Sequence, residues 1–336
     1  MAHNLMNGSS FAGRQTQPAW HRLGKLMPDA ETMEELRLAA GITWEYFLDP
    51  TFREFERSDG EVFHIMRKNQ YALVRKEPSR LDEAGFDLGH TVGNDFEFHN
   101  PAQISQALDD ILVASKKWDG CNWLPETALA LGNGDKTCFV ISLGDWNIKG
   151  DRMVDYLTVY DEVTGRGSLR AYISTVRAVC ANTIAAGLRS AKVNLNIRHT
   201  RGHKMVFQQT IESILDSRGN VQKALTDLAD ILCTDEAFDE YVNRVFALPE
   251  DKEADDYEVE CRRMGRLRSL AIAEWCRKVE GISLEGTAWK AFNCVQGTIE
   301  HGGEYGGVKG LNSALLMQMG EPVNAIRRAF AEARKI

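Results

Sequence analysis

Apolar and polar residues alternate along five segments in the middle of the chain, and this period of two predicts strands. The predicted strands are Glu126–Leu131, Thr137–Leu143, Val154–Tyr160, Ser168–Thr175 and Lys192–Arg198. Gly132-Asn133-Gly134 joins the first pair and Thr164-Gly165 joins the third strand to the fourth, and both segments are typical of tight hairpin turns. The pattern therefore predicts an antiparallel β-meander.

A helix, a β-rich stretch and a second helix are predicted before the meander. Asp29 precedes a short amphipathic helix with carboxylates in its first turn. Asn100 and Pro101 predict the start of the second helix, since asparagine caps a helix and proline suits its first position. Ser58-Asp59-Gly60 is a turn signal between the first two of three β-rich runs. These runs are Trp44–Leu48, Glu61–Met66 and Tyr71–Arg75.

Helical spacing dominates the rest of the chain. Val176–Leu188 is predicted to be a helix between the last two strands. Later helices are predicted over 206–232, 235–247, 252–280, 285–300 and 311–335. The sequence thus indicates an α+β fold, in which an antiparallel β-meander packs with helices and is followed by a mainly helical C-terminal region. We expect a flexible lead-in over 1–19, a core domain over 20–205 and a helical region over 206–336.

The strand pattern gives the meander two chemically different faces. Leucine, valine, alanine and isoleucine point to one side, whereas the other side carries aromatic, basic and amide side chains without any acid. The residues of this polar face are Tyr156, Thr158, Tyr160, Arg170, Tyr172, Lys192, Asn194, Asn196 and Arg198. We expect the polar face to be open to solvent, as one face of an antiparallel sheet often is.

The distribution of charge draws attention to the same region. The chain has 336 residues and a formal charge of −8, yet residues 163–211 contain eight lysines and arginines and no carboxylate. Positive potential on an acidic protein indicates a polyanionic partner. Residues 227–260, in contrast, hold 13 carboxylates and two cations, which is typical of a solvated helix face. The alternatives are an internal mimic of nucleic acid and a contact with the basic segment of a neighbouring subunit.

Cations neutralise phosphates and tyrosine rings stack on unpaired bases, so the polar face predicts contact with single-stranded nucleic acid. The predicted nucleic-acid-binding residues are Arg166, Arg170, Tyr172, Arg177, Lys192, Arg198, Arg201 and Lys204. The alternative is a solvated or oligomer-facing sheet, because tyrosine, arginine and asparagine are common on such surfaces.

Several candidate catalytic or metal sites are incomplete in the sequence. The glycine-rich segment His301–Gly310 lacks the adjacent Gly-Lys-Ser/Thr of a phosphate loop. His199 and His203 have the spacing of metal ligands but no third ligand nearby, which favours a polar turn. Cys180 lies on an apolar stripe, which favours a buried inert thiol. We therefore expect no enzymatic activity, no cofactor and no metal; an enzyme acting on a nucleotide substrate stays an alternative.

The composition also predicts where in the cell the protein is found. No run approaches the roughly 20 apolar residues that cross a bilayer, so we expect no membrane contact. The short polar segment Met1–Arg14 has no apolar core of the kind found in a signal peptide. Seven widely spaced cysteines without Cys-x-x-Cys favour a reduced, cytoplasmic protein.

Segments in the opening, central and C-terminal parts of the chain resemble one family. They are Pro18–Gly24, Ala39–Trp44, Val176–Ile184, Ile197–Thr200, Gly286–Asn293 and Glu300-His301. The chain resembles the phage/plasmid-like protein family built on domain of unknown function 932. The resemblance implies a mobile-element origin in a bacterial cytoplasm, and it brings no established catalytic site.

The order of helix, meander and helix is also similar to that of single-strand annealing proteins, as an analogy of architecture. The first hypothesis is therefore a non-enzymatic phage or plasmid protein that binds single-stranded DNA in recombination or replication. The alternative is a homo-oligomeric protein-interaction module, such as a phage factor acting on a host defence protein.

Overall fold

The structure, a computed structural model, describes residues 11–13, 25–81, 83–117, 122–165, 167–177, 183–184, 195–201, 207–277, 284–301 and 321–336. Within these ranges the chain forms eleven strands in two sheets and seven α-helices, most of which lie toward the C-terminus. The predicted α+β class is confirmed.

The elements have the following bounds. The strands are β1 (Phe11–Gly13), β2 (Lys25–Leu26), β3 (Glu45–Glu56), β4 (Val62–Lys76), β5 (Phe86–Val92), β6 (Leu124–Leu131), β7 (Lys136–Ile148), β8 (Asp151–Glu162), β9 (Ser168–Arg177), β10 (Thr183–Ile184) and β11 (Leu195–Arg198). The helices are α1 (Met33–Ala39), α2 (Pro101–Ser115), α3 (Phe207–Leu228), α4 (Asp235–Val245), α5 (Tyr257–Trp275), α6 (Ala288–His301) and α7 (Glu321–Ala333).

The smaller sheet has the order β3-β4-β5 and is antiparallel. The predicted runs Glu61–Met66 and Tyr71–Arg75 form one continuous β4, and β5 was missed by the sequence pattern. Helix α1 follows Asp29 as predicted, and it begins at a capping box in which the side chains of Thr32 and Glu35 each bond the backbone of the other residue.

The larger sheet has the order β10-β9-β8-β7-β6-β1-β2, and β11 also pairs with β9. All its strand pairs are antiparallel except β1–β2. Both predicted hairpin turns are confirmed: Gly134 N–H donates to Leu131 O between β6 and β7, and Gly167 N–H donates to Thr164 O between β8 and β9. The capped start of α2 at Asn100 is also confirmed.

The predicted helix Val176–Leu188 is wrong at the positions that the structure describes. Val176 and Arg177 end β9, and Thr183–Ile184 form β10, which is paired antiparallel with Thr175 and Val176. Val, Thr and Ile are β-branched and favour a pleated strand, so pairing along β9 outweighs the apolar spacing that suggested a helix. Residues 178–182 and 185–194 lie outside the described residues.

Apolar side chains form two core clusters. The first joins α1, α2 and the smaller sheet to one face of the larger sheet, where Leu157, Leu169 and Ile173 are buried. The second lies among α3 to α7 and includes Ile148 and Met153 from the β7–β8 hairpin. The helical part therefore packs on one end of that hairpin. The division of the chain at residue 205 stays a prediction.

Candidate nucleic-acid interface

The structure describes the side chains of four of the eight predicted binding residues. Arg166, Lys192 and Lys204 lie outside the described residues, and of Arg177 only the backbone position at the end of β9 is described. The four side chains that can be placed are Arg170, Tyr172, Arg198 and Arg201.

Pairing of β9 with β11 brings two of these arginines together. Arg198 lies opposite Ser168, and Asn196 lies opposite Arg170. In such a ladder Arg170 and Arg198 are diagonal neighbours on one face, about 7–8 Å apart. The Nε of Arg170 donates to Ser168 Oγ at 3.0 Å, so its side chain extends along β9 toward the residue that lies opposite Arg198.

Residues 196–200, which include the end of β11, alternate between exposed and buried positions. Asn196, Arg198 and Thr200 are exposed, whereas Ile197 and His199 are buried. Arg201 lies 3.7 Å from Asp95 in an exposed ion pair. Within the described part of the chain, Arg198 has no ion-pair partner. Its charge is therefore available to an anion from solution.

The expectation that the whole polar face is open to solvent is wrong. Tyr156, Tyr160 and Tyr172 are only 4%, 4% and 6% exposed, and Thr158 is fully buried. Loss of hydration on burial raises the pKa of all three tyrosine hydroxyls above their usual value. Alternation assigns residues to a face, but it does not say whether another layer covers that face. Base stacking on Tyr172, which was predicted for this site, is therefore not available.

The buried polar face is a layer of polar groups inside the protein. Thr158 lies opposite Tyr172 across the β8–β9 pair, and Tyr160 lies opposite Cys138 across the β7–β8 pair. Burial raises the pKa of the Cys138 thiol to about 12. The Tyr160 hydroxyl lies 3.5 Å from the carboxylate of Glu162. These groups are shielded from solvent, so they support the sheet and not a surface contact.

Asp155 is the centre of the contact between this sheet and α3, a role that the sequence analysis did not predict. Its buried carboxylate accepts hydrogen bonds from Trp146 Nε1 at 3.0 Å and Thr175 Oγ1 at 2.7 Å. It also accepts from Arg218 Nε at 2.6 Å and Gln222 Nε2 at 2.9 Å, both on α3. The one available signal is an acid in the middle of a β-rich segment.

His199 was predicted to lie in a polar turn, but it is buried against three oxygen atoms. Its Nδ1 lies 3.1 Å from Glu97 O, and its Nε2 lies 3.1 Å from Glu162 O and 3.0 Å from Asp161 Oδ1. Burial lowers the pKa of His199, but the neighbouring carboxylate of Asp161 outweighs this and raises it overall. Since both ring nitrogens face acceptors, the imidazolium is the form that fits.

The Asp161–His199 pair fixes the position of β11. It connects the end of β8 to the residue that follows Arg198, and the bond to Glu97 adds the segment before α2. The ring of His99 lies beside that of His199, with 6.2 Å between the ring centroids, and burial lowers the pKa of His99. Among the described residues, no group of three histidines, cysteines or acids is arranged to hold a metal ion. The Asp161–His199 pair thus positions the chain next to Arg198.

Comparison with known proteins adds a family assignment. No curated protein and no solved structure matches the chain. Among the described helices, none is long and apolar enough to cross a membrane. A family model described as a domain of unknown function matches residues 89–330, a span that contains β9, β11 and both arginines of the edge. Because this match covers more than half of the sequence, the chain belongs to the family of domain of unknown function 932 (DUF932).

Proposed function

We propose that this chain is a non-enzymatic phage or plasmid protein that binds single-stranded DNA in the bacterial cytoplasm, in recombination or replication. The observation that supports the proposal is the Arg170–Arg198 pair on the β9–β11 edge, with Arg201 three residues further along the chain. Arginine forms strong, charge-assisted hydrogen bonds to phosphate oxygens.

Binding through this edge rests on phosphate contacts. Arg198 supplies charge, and the exposed side chains of Asn196 and Thr200 supply hydrogen-bond donors for phosphate or sugar. The buried tyrosines take no part, so the contact tolerates any base sequence. For a single strand, each phosphate contact contributes about −0.7 to the slope of log affinity against log salt.

The test is fluorescence anisotropy of the full chain with a labelled oligothymidylate at increasing salt. The double variant Arg170→Ala/Arg198→Ala removes two phosphate contacts, so we expect at least about tenfold weaker binding at low salt and a salt slope smaller by about 1.4. The matched control is Arg277→Ala, because Arg277 is exposed and its ion pair in the described part of the chain is with Glu274, three residues earlier. This control is expected to bind like the parent.

Two results would contradict the proposal. One is an absence of binding to the oligonucleotide by the parent at low salt. The other is a double variant that binds as tightly, and with the same salt slope, as the parent. A duplex of the same sequence serves as the comparison, since single-strand preference requires weaker binding to it.

A second candidate is a protein-interaction module, which meets either another subunit or a host or phage protein. Charge complementarity favours it: α4 exposes Glu236, Asp239 and Glu240, while β11 exposes Arg198. Mass measurement at low and high salt discriminates between the two. Assembly that dissociates in salt, together with an absence of oligonucleotide binding, would favour this candidate.

A further inference from the structure

The distal part of the β3–β4 hairpin extends away from the rest of the protein. Every residue from Phe52 to Gln70 is exposed except Phe63, which is partly buried. We call residues 51–70 the arm. The arm lies before the segment that matches the family, and it belongs neither to the basic residues 163–211 nor to the proposed DNA contact.

Large apolar side chains lie on both faces of the arm. Phe52 lies opposite Met66 and Glu56 opposite Val62 on one face, whereas Phe55 lies opposite Phe63 on the other. The exposed apolar residues are Phe52 at 54%, Phe55 at 51%, Val62 at 52%, Ile65 at 40% and Met66 at 58%. Exposed apolar side chains grouped in this way are typical of a contact with another molecule.

The arm also has an unpaired edge. Strand β5 pairs with β4 only between Tyr71 and Arg75. In the described part of the chain, the outer edge of β4 from Val62 to Gln70 therefore has no neighbouring strand. A two-stranded hairpin is marginally stable in water, and an open edge can accept another strand. A further pair of strands would supply hydrogen-bond partners for this open edge and would enlarge the sheet.

Charge distinguishes the arm from the body of the protein. Residues 51–70 contain four cations and four carboxylates, whereas the chain as a whole carries −8. Two arms can therefore approach each other without net repulsion. The neutral balance does not favour a polyanion such as DNA, which would select an excess of cations.

We propose that two copies of this chain associate through the outer edges of β4, antiparallel about a two-fold axis at His64. In this register Val62 faces the partner's Met66, and Phe63 faces the partner's Ile65. Each contact occurs twice, as a two-fold interface requires. Apolar residues thus meet apolar residues along the edge, and the two hairpins form one four-stranded sheet.

The same register pairs opposite charges at both ends of the interface. Glu61 faces the partner's Arg67, again twice. In one copy Glu61 lies 3.4 Å from Arg57, and Arg67 Nη1 donates to Gln70 Oε1 at 3.4 Å, so both side chains make only weak exposed contacts. A surface that meets itself must be self-complementary at one register, and this edge meets that condition. For this reason the inferred occupant is a second copy.

The first test is the mass of the full chain by sedimentation velocity over a range of concentrations, without DNA. The parent is expected to reach twice its 37.7 kDa. Ile65→Asp places a carboxylate in the apolar strip and is expected to leave only monomer. Leu232→Asp is the control, because Leu232 is an 82% exposed apolar residue outside the arm, and it is expected to dimerise like the parent.

The second test reverses the charges. Glu61→Arg alone places two cations opposite each other at both ends, and Arg67→Glu alone places two carboxylates there. Each variant is expected to dimerise roughly tenfold more weakly than the parent. Mixing equal amounts of the two variants is expected to restore association, because in the mixed dimer every cation faces a carboxylate. Circular dichroism of each variant verifies that the fold is kept.

Four results would overturn the inference. They are a parent that is monomeric at every concentration, a dimer that tolerates Ile65→Asp, a mixture of the two charge variants that does not associate, and an arm that binds oligonucleotide in a monomeric protein. Failure of the Arg170 and Arg198 variants to affect DNA binding would contradict the proposed function alone, since the mass measurements contain no DNA.

Discussion

The β8–β9 pair and the β3–β4 arm are both antiparallel hairpins, yet they meet solvent in opposite ways. Tyr172 on β9 carries a polar hydroxyl and is 6% exposed, whereas the side chain of Phe52 on β3 is wholly apolar and is 54% exposed. The first pair lies inside a sheet, with β7 on one side and β10 and β11 on the other. The arm has no such neighbours in the described part of the chain.

This difference shows that the polarity of a strand face and its exposure are separate properties. Polar groups tolerate burial when hydrogen bonds replace water, as they do around Asp155. Exposed apolar groups cost free energy until another surface covers them. A buried polar layer therefore indicates structural support, whereas an exposed apolar arm indicates a contact that forms with another molecule.

The largest expected effect tests whether a side chain of the β8–β9 pair contributes more to stability than a side chain of the arm. Tyr172→Ala removes a buried ring, so we expect a loss of about 3–5 kcal/mol in the free energy of unfolding. Phe52→Ala on the arm is expected to cost less than about 1 kcal/mol in the monomer. Urea denaturation measures both. A Tyr172→Ala protein as stable as the parent would mean that this ring is not buried.

The next effect concerns the contact between the sheet and α3. Asp155→Ala leaves Arg218 partly buried without its carboxylate and removes the acceptor of three further donors, so we expect a loss of about 3 kcal/mol in the free energy of unfolding. Asp145→Ala is the matched control, since Asp145 is 53% exposed and pairs with Arg152 on the same hairpin. Its expected cost is below about 1 kcal/mol. Equal losses for the two variants, measured by urea denaturation, would remove the special role of Asp155.

The smallest effect is a pH dependence from His199. Because the folded protein raises the pKa of His199, its imidazolium stabilises the fold fully below about pH 6.5, and this contribution is lost as the pH rises through the raised value. His99, whose pKa is lowered by burial, acts in the opposite sense: its contribution is present above about pH 6.5 and is lost as the pH falls.

Denaturation of the parent, His199→Gln and His99→Gln between mildly acidic and mildly alkaline pH separates these two contributions. The His199 variant is expected to lose less stability than the parent as the pH rises, and the His99 variant to lose less as it falls. An unchanged pH profile in His199→Gln would show that the Asp161–His199 pair does not act through the charge of the imidazolium.

Much of the local structure follows from residues close together in the sequence. Hairpins at Gly132–Gly134 and Thr164-Gly165 and the cap at Asn100 were predicted, because turn and cap geometry depends on a few neighbouring residues. The pairing of β10 with β9 was not, since β10 is only two residues long and the apolar spacing around it also fits a helix. For the candidate site, the sequence pattern indicated Arg170 and Arg198. It also predicted an open face at Tyr172 and a polar turn at His199, and both side chains are instead buried.

The order of residues by itself determined the α+β class, the hairpin turns and the two-sided character of the central strands, because these depend on side-chain period and local backbone chemistry. Only the tertiary structure decided which faces are covered. It buried Tyr172, left Arg198 exposed and placed His199 against Asp161. Burial depends on layers supplied by distant parts of the chain, and no local pattern contains that information.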